Sequence, residues 1–108
     1  MPVVVTAVFR PMPGRKDDLV EALSTTMPAV HAERGCLLYA IHDAEDGTIT
    51  MIEKWESVED LDAHGSGPAV VSLQAAIEGL VTEPAHVIRM APIPVGEPGV
   101  GALCGLPW

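Results

Sequence analysis

The sequence predicts one α+β domain with the element order β-α-β-β-α-β, which is the ferredoxin-like plan of a four-stranded antiparallel sheet. Three observations predict it. Segments rich in β-branched and apolar residues alternate with segments whose apolar residues recur at helical spacing. The four residues 44–47 form a turn between two strand segments, so these segments make a hairpin. The length of 108 residues is typical of a single domain.

The first strand and the first helix are bounded by local signals. Residues 2–10, "PVVVTAVFR", are almost continuously apolar, which predicts a strand buried on both faces. Asp17 and Asp18 stand in the first turn of the following helix, where the helix dipole favours anions. Pro28 predicts a kink or a break in this helix, and Gly35 is predicted to be its C′ residue. The buried face is a stripe at helical spacing: Leu19, Leu23, Met27 and Val30.

The hairpin comprises residues 36–43 and 48–56. Alternation in its second strand places one set of side chains on a single face, namely Ile49, Met51, Glu53 and Trp55. Ser57 is a good N-cap, and Asp60 completes a capping box, so a short helix follows and ends at Gly65. Pro68 opens a more apolar helix over 68–80, and residues 82–93 are predicted as the last strand.

The last fifteen residues differ in composition from the rest of the chain. Residues 94–108 contain three Pro and four Gly, so no regular element is expected there. The domain therefore spans residues 1–93, and the tail is expected to dock onto its own domain or onto a neighbouring subunit.

Composition and charge restrict the possible partners. Hydrophobic residues make up 48% of the chain although only four are aromatic, which is more aliphatic surface than a small domain readily buries. A subunit interface is therefore expected. The net charge of −9 disfavours nucleic acid and anionic membranes as partners. No long apolar run and no leader pattern occurs, so a cytoplasmic location is expected.

Neither the cysteines nor the histidines are spaced as metal ligands. Cys36 and Cys104 are far apart and are expected to be free thiols, with Cys36 in the core. We therefore expect no metal. His31 and His42 are expected to be solvated, and His86 to make a hydrogen bond in the core.

The stretch "ERGCLLYAIHD" followed by "EKWES" and "DLDAH" resembles the antibiotic biosynthesis monooxygenase superfamily. The matching features are Glu33, the run 35–37, Tyr39, the pair Glu53 and Trp55 in the third strand, and His64 at the end of the short helix. "PGRKDDLVEAL" also fits the first helix of that family. The resemblance covers residues 2 to about 92 and implies that two four-stranded sheets pack into a dimeric α/β barrel.

The resemblance implies a pocket in each subunit and several possible functions. Members of the superfamily include cofactor-independent quinol and polyketide monooxygenases, haem-degrading enzymes, an isomerase and proteins without an assigned reaction. The haem-degrading branch uses an Asn on the first strand and a His on the later helix. Neither is present here in "VVVTAVF" or "PAVVSLQAAI". We therefore expect a monooxygenase that acts on a quinol-type or polyketide aromatic without any cofactor.

Such a reaction needs a base, hydrogen-bond donors for the developing oxyanion and a dry apolar cavity. His64 is the candidate base, because imidazole titrates near neutral pH. Trp55 could stack on a flat substrate, Tyr39 could donate a hydrogen bond and Arg89 could stabilise an anion. Glu53 is a carboxylate on an apolar strand face, which needs partners if it is buried. It either fixes the fold or takes part in the site.

Structural roles remain open for the same residues, and so do other functions. His64 precedes a helix-ending Gly, where a cation meets the helix dipole favourably, and Trp55 alone is typical of a core residue. The alternatives to a monooxygenase are an isomerase of the same superfamily, a dimer that only binds a small ligand, and a structural or stress-response dimer. A pocket filled by Met12, Met27, Met51 or the tail would favour the last of these.

Overall fold

Four strands and three helices make up residues 2–103, which are the part of the chain that the computed structural model describes. Cys104, predicted to be a free thiol, lies outside this range. The elements in chain order are β1 (Val3–Phe9), α1 (Lys16–His31), β2 (Cys36–Asp43), β3 (Ile49–Trp55), α2 (Val58–Gly65), α3 (Pro68–Ile77) and β4 (His86–Met90).

The strands form one antiparallel sheet in the order β2-β3-β1-β4, which confirms the predicted α+β ferredoxin-like plan. The sheet is open and is not closed into a barrel. Side chains from β1 and β3 meet the helices on one face of the sheet. The largest fully buried side chains of this core come from β3 and α1: Trp55, Ile49 and Met51, with Leu19 and Leu23. We call this side of the sheet the inner face and the opposite side the outer face.

The first strand is not buried equally on its two sides. Val3, Val5 and the following odd-numbered residues of β1 are buried on the inner face, whereas Thr6 and Val8 on the outer face are only half-buried. Val4 is the exception, since it is buried although it lies on the outer face. The prediction of a strand covered on both faces is therefore correct for only part of β1, because Thr6 and Val8 keep part of their surface exposed.

The first helix keeps its predicted face but passes through its proline. Leu19, Leu23 and Val30 are fully buried, whereas Pro28 lies inside an unbroken helix. A proline this close to the C-terminus removes only one hydrogen bond of the last turns, so the helix does not break into two pieces. Gly35 is not the C′ residue, because α1 ends at His31. Its φ of 80° belongs to the turn that enters β2.

The short helix α2 has its predicted bounds, whereas α3 and β4 are shorter than predicted. The Ser57 Oγ accepts a hydrogen bond from the Asp60 N–H at 3.1 Å, which caps α2. α3 ends at Ile77 rather than at residue 80, and β4 covers only the middle of the predicted 82–93. His86 is exposed on β4, so the predicted core hydrogen bond is wrong. Within residues 2–103 no helix has the length and apolar character needed to cross a membrane.

Candidate active site

A cavity of about 740 Å³ lies between the inner face of the sheet and helices α2 and α3. Small-molecule sites usually have volumes of this order. Its walls are mainly apolar, with Val5, Ala7 and Phe9 from β1 on one side and Leu61, Leu73 and Ile77 from the helices on the other. None of Met12, Met27, Met51 and residues 94–103 belongs to the cavity wall. The described part of the chain therefore leaves this space open.

The polar groups gather at one end of the cavity because the strand register aligns them. Tyr39 pairs with Glu53, Glu53 pairs with Val5, and Val5 pairs with Arg89 across the four strands. These side chains share the inner face, since residues paired across a sheet point to the same side. Neighbouring strands are about 4.8 Å apart, so the row from Tyr39 to Arg89 spans about 14 Å. We call it the polar row.

His64 stands over the polar row and is buried to all but 6% of its surface. It is one turn after Leu61 on α2, so both side chains lie on the buried face of this short helix. Its ring is tilted by 31° against the ring of Trp55, with centroids 4.6 Å apart, and it meets the ring of Tyr39 edge-on at 5.5 Å. Aromatic contacts on two sides therefore fix the orientation of the imidazole.

Glu33 determines which nitrogen of His64 carries the proton. Its Oε1 lies 2.6 Å from Nδ1 of the imidazole. An ionised carboxylate only accepts hydrogen bonds, so Nδ1 is the donor, and in the neutral imidazole the lone pair lies on Nε2. Every wholly buried side-chain nitrogen or oxygen within residues 2–103 has a hydrogen-bond partner. Since Nε2 makes no hydrogen bond to this part of the chain, it keeps some accessible surface, and His64 lines the cavity.

The turn after α1 brings Glu33 and His64 together. Gly35 packs so closely against α2 that a Cβ there would lie 2.2 Å from Oδ2 of Asp60. The N–H of Glu56 donates to the Gly35 carbonyl at 2.8 Å, which ties the same turn to the end of β3. The start of α2 is thereby held against the segment that carries Glu33. In the sequence Glu33 is only a matching family position without a role, because its partner lies 31 residues further along the chain.

Glu53 is a buried carboxylate in the cavity wall, with 5% of its surface exposed. Its Oε1 accepts a hydrogen bond from the indole N–H of Trp55 at 2.9 Å. Desolvation raises the pKa of Glu53, although the Trp55 hydrogen bond and the charges of His64 and Arg89 oppose the shift. Burial also raises the pKa of the Tyr39 hydroxyl, and the nearby Glu53 and Glu33 charges add to this effect. Tyr39 therefore stays protonated and can donate.

The remaining predicted site residues occupy different positions. Arg89 lines the cavity and donates to Asp62 at 2.7 Å, in a half-exposed ion pair that links β4 to α2. Trp55 is fully buried and lies behind Glu53 and His64, not in the cavity wall. This placement does not allow Trp55 to stack directly on a bound molecule. Within the described chain, no group of three or more His, Cys, Asp or Glu side chains is arranged to hold a metal ion.

Residues 2–76 match the family model described as antibiotic biosynthesis monooxygenase. The chain belongs to the antibiotic biosynthesis monooxygenase family. It is 31% identical over 93 residues to "Putative monooxygenase Rv0793" of Mycobacterium tuberculosis, with 85% of this chain and 92% of that protein covered. It is also 31% identical to "Probable quinol monooxygenase YgiN" of Escherichia coli K12, with 75% of this chain and 89% of that protein covered.

Solved structures of the antibiotic biosynthesis monooxygenase type match the fold. The structure of Rv0793 from Mycobacterium tuberculosis superposes with a TM-score of 0.80 at 30% identity and covers 90% of this chain and 100% of that one. Protein SO0527 of Shewanella oneidensis gives a TM-score of 0.74 at 26% identity and covers 82% and 88% of the two chains. The expected family and fold are thereby confirmed.

Proposed function

We propose that this family member is a cofactor-independent monooxygenase that acts on an electron-rich aromatic of the quinol or polyketide type. The observation that carries the proposal is the Glu33–His64 pair. A carboxylate fixes the tautomer of a buried imidazole, and that imidazole lines a cavity that is otherwise mainly apolar. A base held in this way in a water-poor site suits proton abstraction from a bound molecule.

Proton removal is the step that makes such a substrate reactive towards dioxygen. His64 Nε2 takes a proton from the substrate, and the resulting anion gives up an electron much more readily than the neutral molecule does. The Tyr39 hydroxyl and the Arg89 guanidinium stand at the two ends of the polar row, and either can donate to an oxygen on which negative charge develops. Trp55 acts from behind the wall as a positioning residue, through its contacts with Glu53 and His64.

The atoms and electrons balance without a further reductant. A quinol loses two hydrogen atoms and gains one oxygen atom to become a hydroxyquinone, and the second oxygen atom leaves as water. An anthrone-type CH₂ group becomes a carbonyl in the same way. All four electrons that reduce dioxygen come from the substrate, so the protein supplies only a base, hydrogen-bond donors and a mainly apolar cavity.

Oxygen uptake in an electrode cell, with a panel of quinols and anthrones, tests this function. The wild-type protein is expected to exceed uncatalysed autoxidation, and His64→Ala is expected to lower the rate by about 100-fold or more. His42→Ala is the matched control, because that imidazole is exposed and lies outside the cavity. Wild-type uptake no faster than autoxidation across the panel would refute the proposal.

Isomerisation is the second candidate, because two groups able to move protons, His64 and Glu53, face one cavity. An isomerase consumes no dioxygen, so the same electrode cell separates the two reactions. Ligand binding measured by calorimetry without any turnover would instead indicate the binding dimer.

The outer face of the sheet supports pairing with a second copy of the chain. Three large apolar side chains on this face are substantially exposed: Leu38, Ile88 and Met90. A fourth, Ile52, is half-buried beside them. Two such faces packed together would form the dimeric barrel. Sedimentation analysis is expected to give a dimer for the wild type and for Val71→Glu on α3, but a monomer for Ile88→Glu. A wild-type monomer would refute the pairing.

A further inference from the structure

The proposed oxygenation has two stages, and His64 serves only the first. For a CH₂ substrate, Nε2 takes one C–H proton, and the carbanion passes one electron to dioxygen. The two radicals then join through a new C–O bond, and the imidazolium returns its proton to the peroxide. The product of this stage is a hydroperoxide that still carries one hydrogen on the same carbon. A base must remove that hydrogen before the carbonyl can form.

We infer that Glu53 is the catalytic base of this second stage. Its carboxylate removes the remaining C–H proton, and the C–H electron pair becomes the second bond of the carbonyl. The O–O bond breaks at the same time, and its electron pair leaves with hydroxide. The hydroxide takes the proton from the Glu53 carboxyl group and departs as water. The carboxylate is thereby regenerated, and the inference rests on the proposed monooxygenase function.

The position of Glu53 carries this assignment. It pairs with Tyr39 and Val5 in the polar row, beneath His64, so one bound carbon can meet both bases in turn. Only Oε1 is engaged, by the indole N–H of Trp55. Oε2 makes no hydrogen bond to residues 2–103, and no wholly buried side-chain oxygen in that range lacks a partner, so Oε2 keeps some accessible surface. Glu53 itself lines the cavity.

A purely structural role does not account for the whole arrangement. A carboxylate that only fixes the fold would have both oxygens satisfied, because an ionised group loses its hydration on burial. The cost of burying Glu53 is only partly offset by one indole N–H and by the charges of His64 and Arg89. A carboxylate held in a water-poor wall with one free oxygen is also a stronger base than the same group in water.

The test compares oxygen consumed with ketone formed for an anthrone substrate, in samples quenched by acid during turnover. Wild type is expected to give one ketone per dioxygen. Glu53→Gln keeps the shape and an acceptor for Trp55, so oxygen uptake should continue. The amount of ketone that this variant forms per dioxygen consumed should fall at least severalfold. An organic hydroperoxide should account for the oxygen that is consumed without ketone formation. Glu53→Asp restores a carboxylate and should move the ratio back towards one.

Each outcome decides the matter. A ratio of one in Glu53→Gln would overturn the inference and leave the proposed function intact. Loss of oxygen uptake in that variant to the level of His64→Ala, in a protein that melts like wild type, would place Glu53 in the first stage and also overturn it. If wild type itself takes up no oxygen, the proposed function fails and the inference fails with it. Hydroperoxide that accumulates only in the variant without a carboxylate supports the inference.

Discussion

Replacing Gly35 with Ala should destabilise the protein through two separate effects. The φ of 80° is unfavourable for any residue with a Cβ, at about 1–2 kcal/mol. The new Cβ would also lie 2.2, 2.5 and 2.6 Å from the Oδ2, Cγ and Cβ atoms of Asp60. Because the Asp60 Cβ is close to the helix backbone, rotation of the carboxylate alone does not relieve the overlap. Overpacking of this kind costs about 1–3 kcal/mol.

The expected loss in the free energy of unfolding is therefore about 2–5 kcal/mol, a large share of the stability of a small domain. In thermal denaturation followed by circular dichroism, this corresponds to a decrease in Tm of about 10 °C or more. Gly47→Ala is the matched control, since its φ is 90° but nothing lies within 4 Å of the added Cβ. It should show only the backbone effect, of about 1–2 kcal/mol.

The double variant Gly35→Ala/Asp60→Ala separates the two effects. Asp60→Ala removes two of the three close atoms but keeps the Cβ of residue 60, so it should recover only part of the overpacking cost. The backbone cost should remain, and the double variant should melt above Gly35→Ala. If Gly35→Ala melts no lower than Gly47→Ala, or if Asp60→Ala brings no recovery, the close contact between this turn and α2 does not determine stability. The reasoning would then be refuted.

Three further predictions concern the site. Glu33→Gln should lower the turnover number by about 100-fold with little change in ligand affinity, because an amide no longer fixes the His64 tautomer. Stopped-flow kinetics and calorimetry measure the two quantities, and an unchanged turnover number would contradict this prediction. Burial raises the pKa of Glu53 above its ordinary value of 4.5, so the native state binds that proton more tightly than the unfolded chain does. The free energy of unfolding should therefore fall as pH rises from about 4.5 through the native pKa, and urea titrations should give a flatter pH profile for Glu53→Gln. Val87→Trp at the cavity rim should weaken ligand binding by about tenfold, or about 1.4 kcal/mol. The control Val71→Trp, on α3 outside the cavity, should leave the affinity unchanged. Equal affinities of the two variants in calorimetry would show that the size of the residue at the rim does not limit binding.

The order of the elements was predictable because each is specified by neighbouring residues. Alternation in β3 buries Ile49, Met51, Glu53 and Trp55, as predicted. Ser57 caps α2 by accepting a hydrogen bond from the N–H of Asp60, a residue only three positions further along the chain. Such local patterns can be read from a single chain. Errors occur where distant segments decide the outcome. The side chain of His86 is exposed because no described element covers β4.

The site was predictable in its residue types but not in its contacts. His64 and Tyr39 could be singled out from the family resemblance, and Glu53 because a carboxylate stood on an apolar strand face. The cavity wall contains all three residues. The hydrogen bond from His64 to Glu33 joins residues 31 positions apart, and nothing in the local sequence specifies such a pair. For Trp55 the sequence left a stacking role and a core role open, and packing places the side chain behind the cavity wall.

The polar row also makes this protein a convenient object for redesign. Val5 is its one apolar member, and it stands between Glu53 and Arg89 on a central strand. A single substitution there, such as Val5→Thr or Val5→His, would introduce a new functional group about 5 Å from each neighbour without altering a loop or a helix. Chemistry can thus be exchanged at one strand position while the scaffold is kept. One fold can acquire different reactions by such small steps.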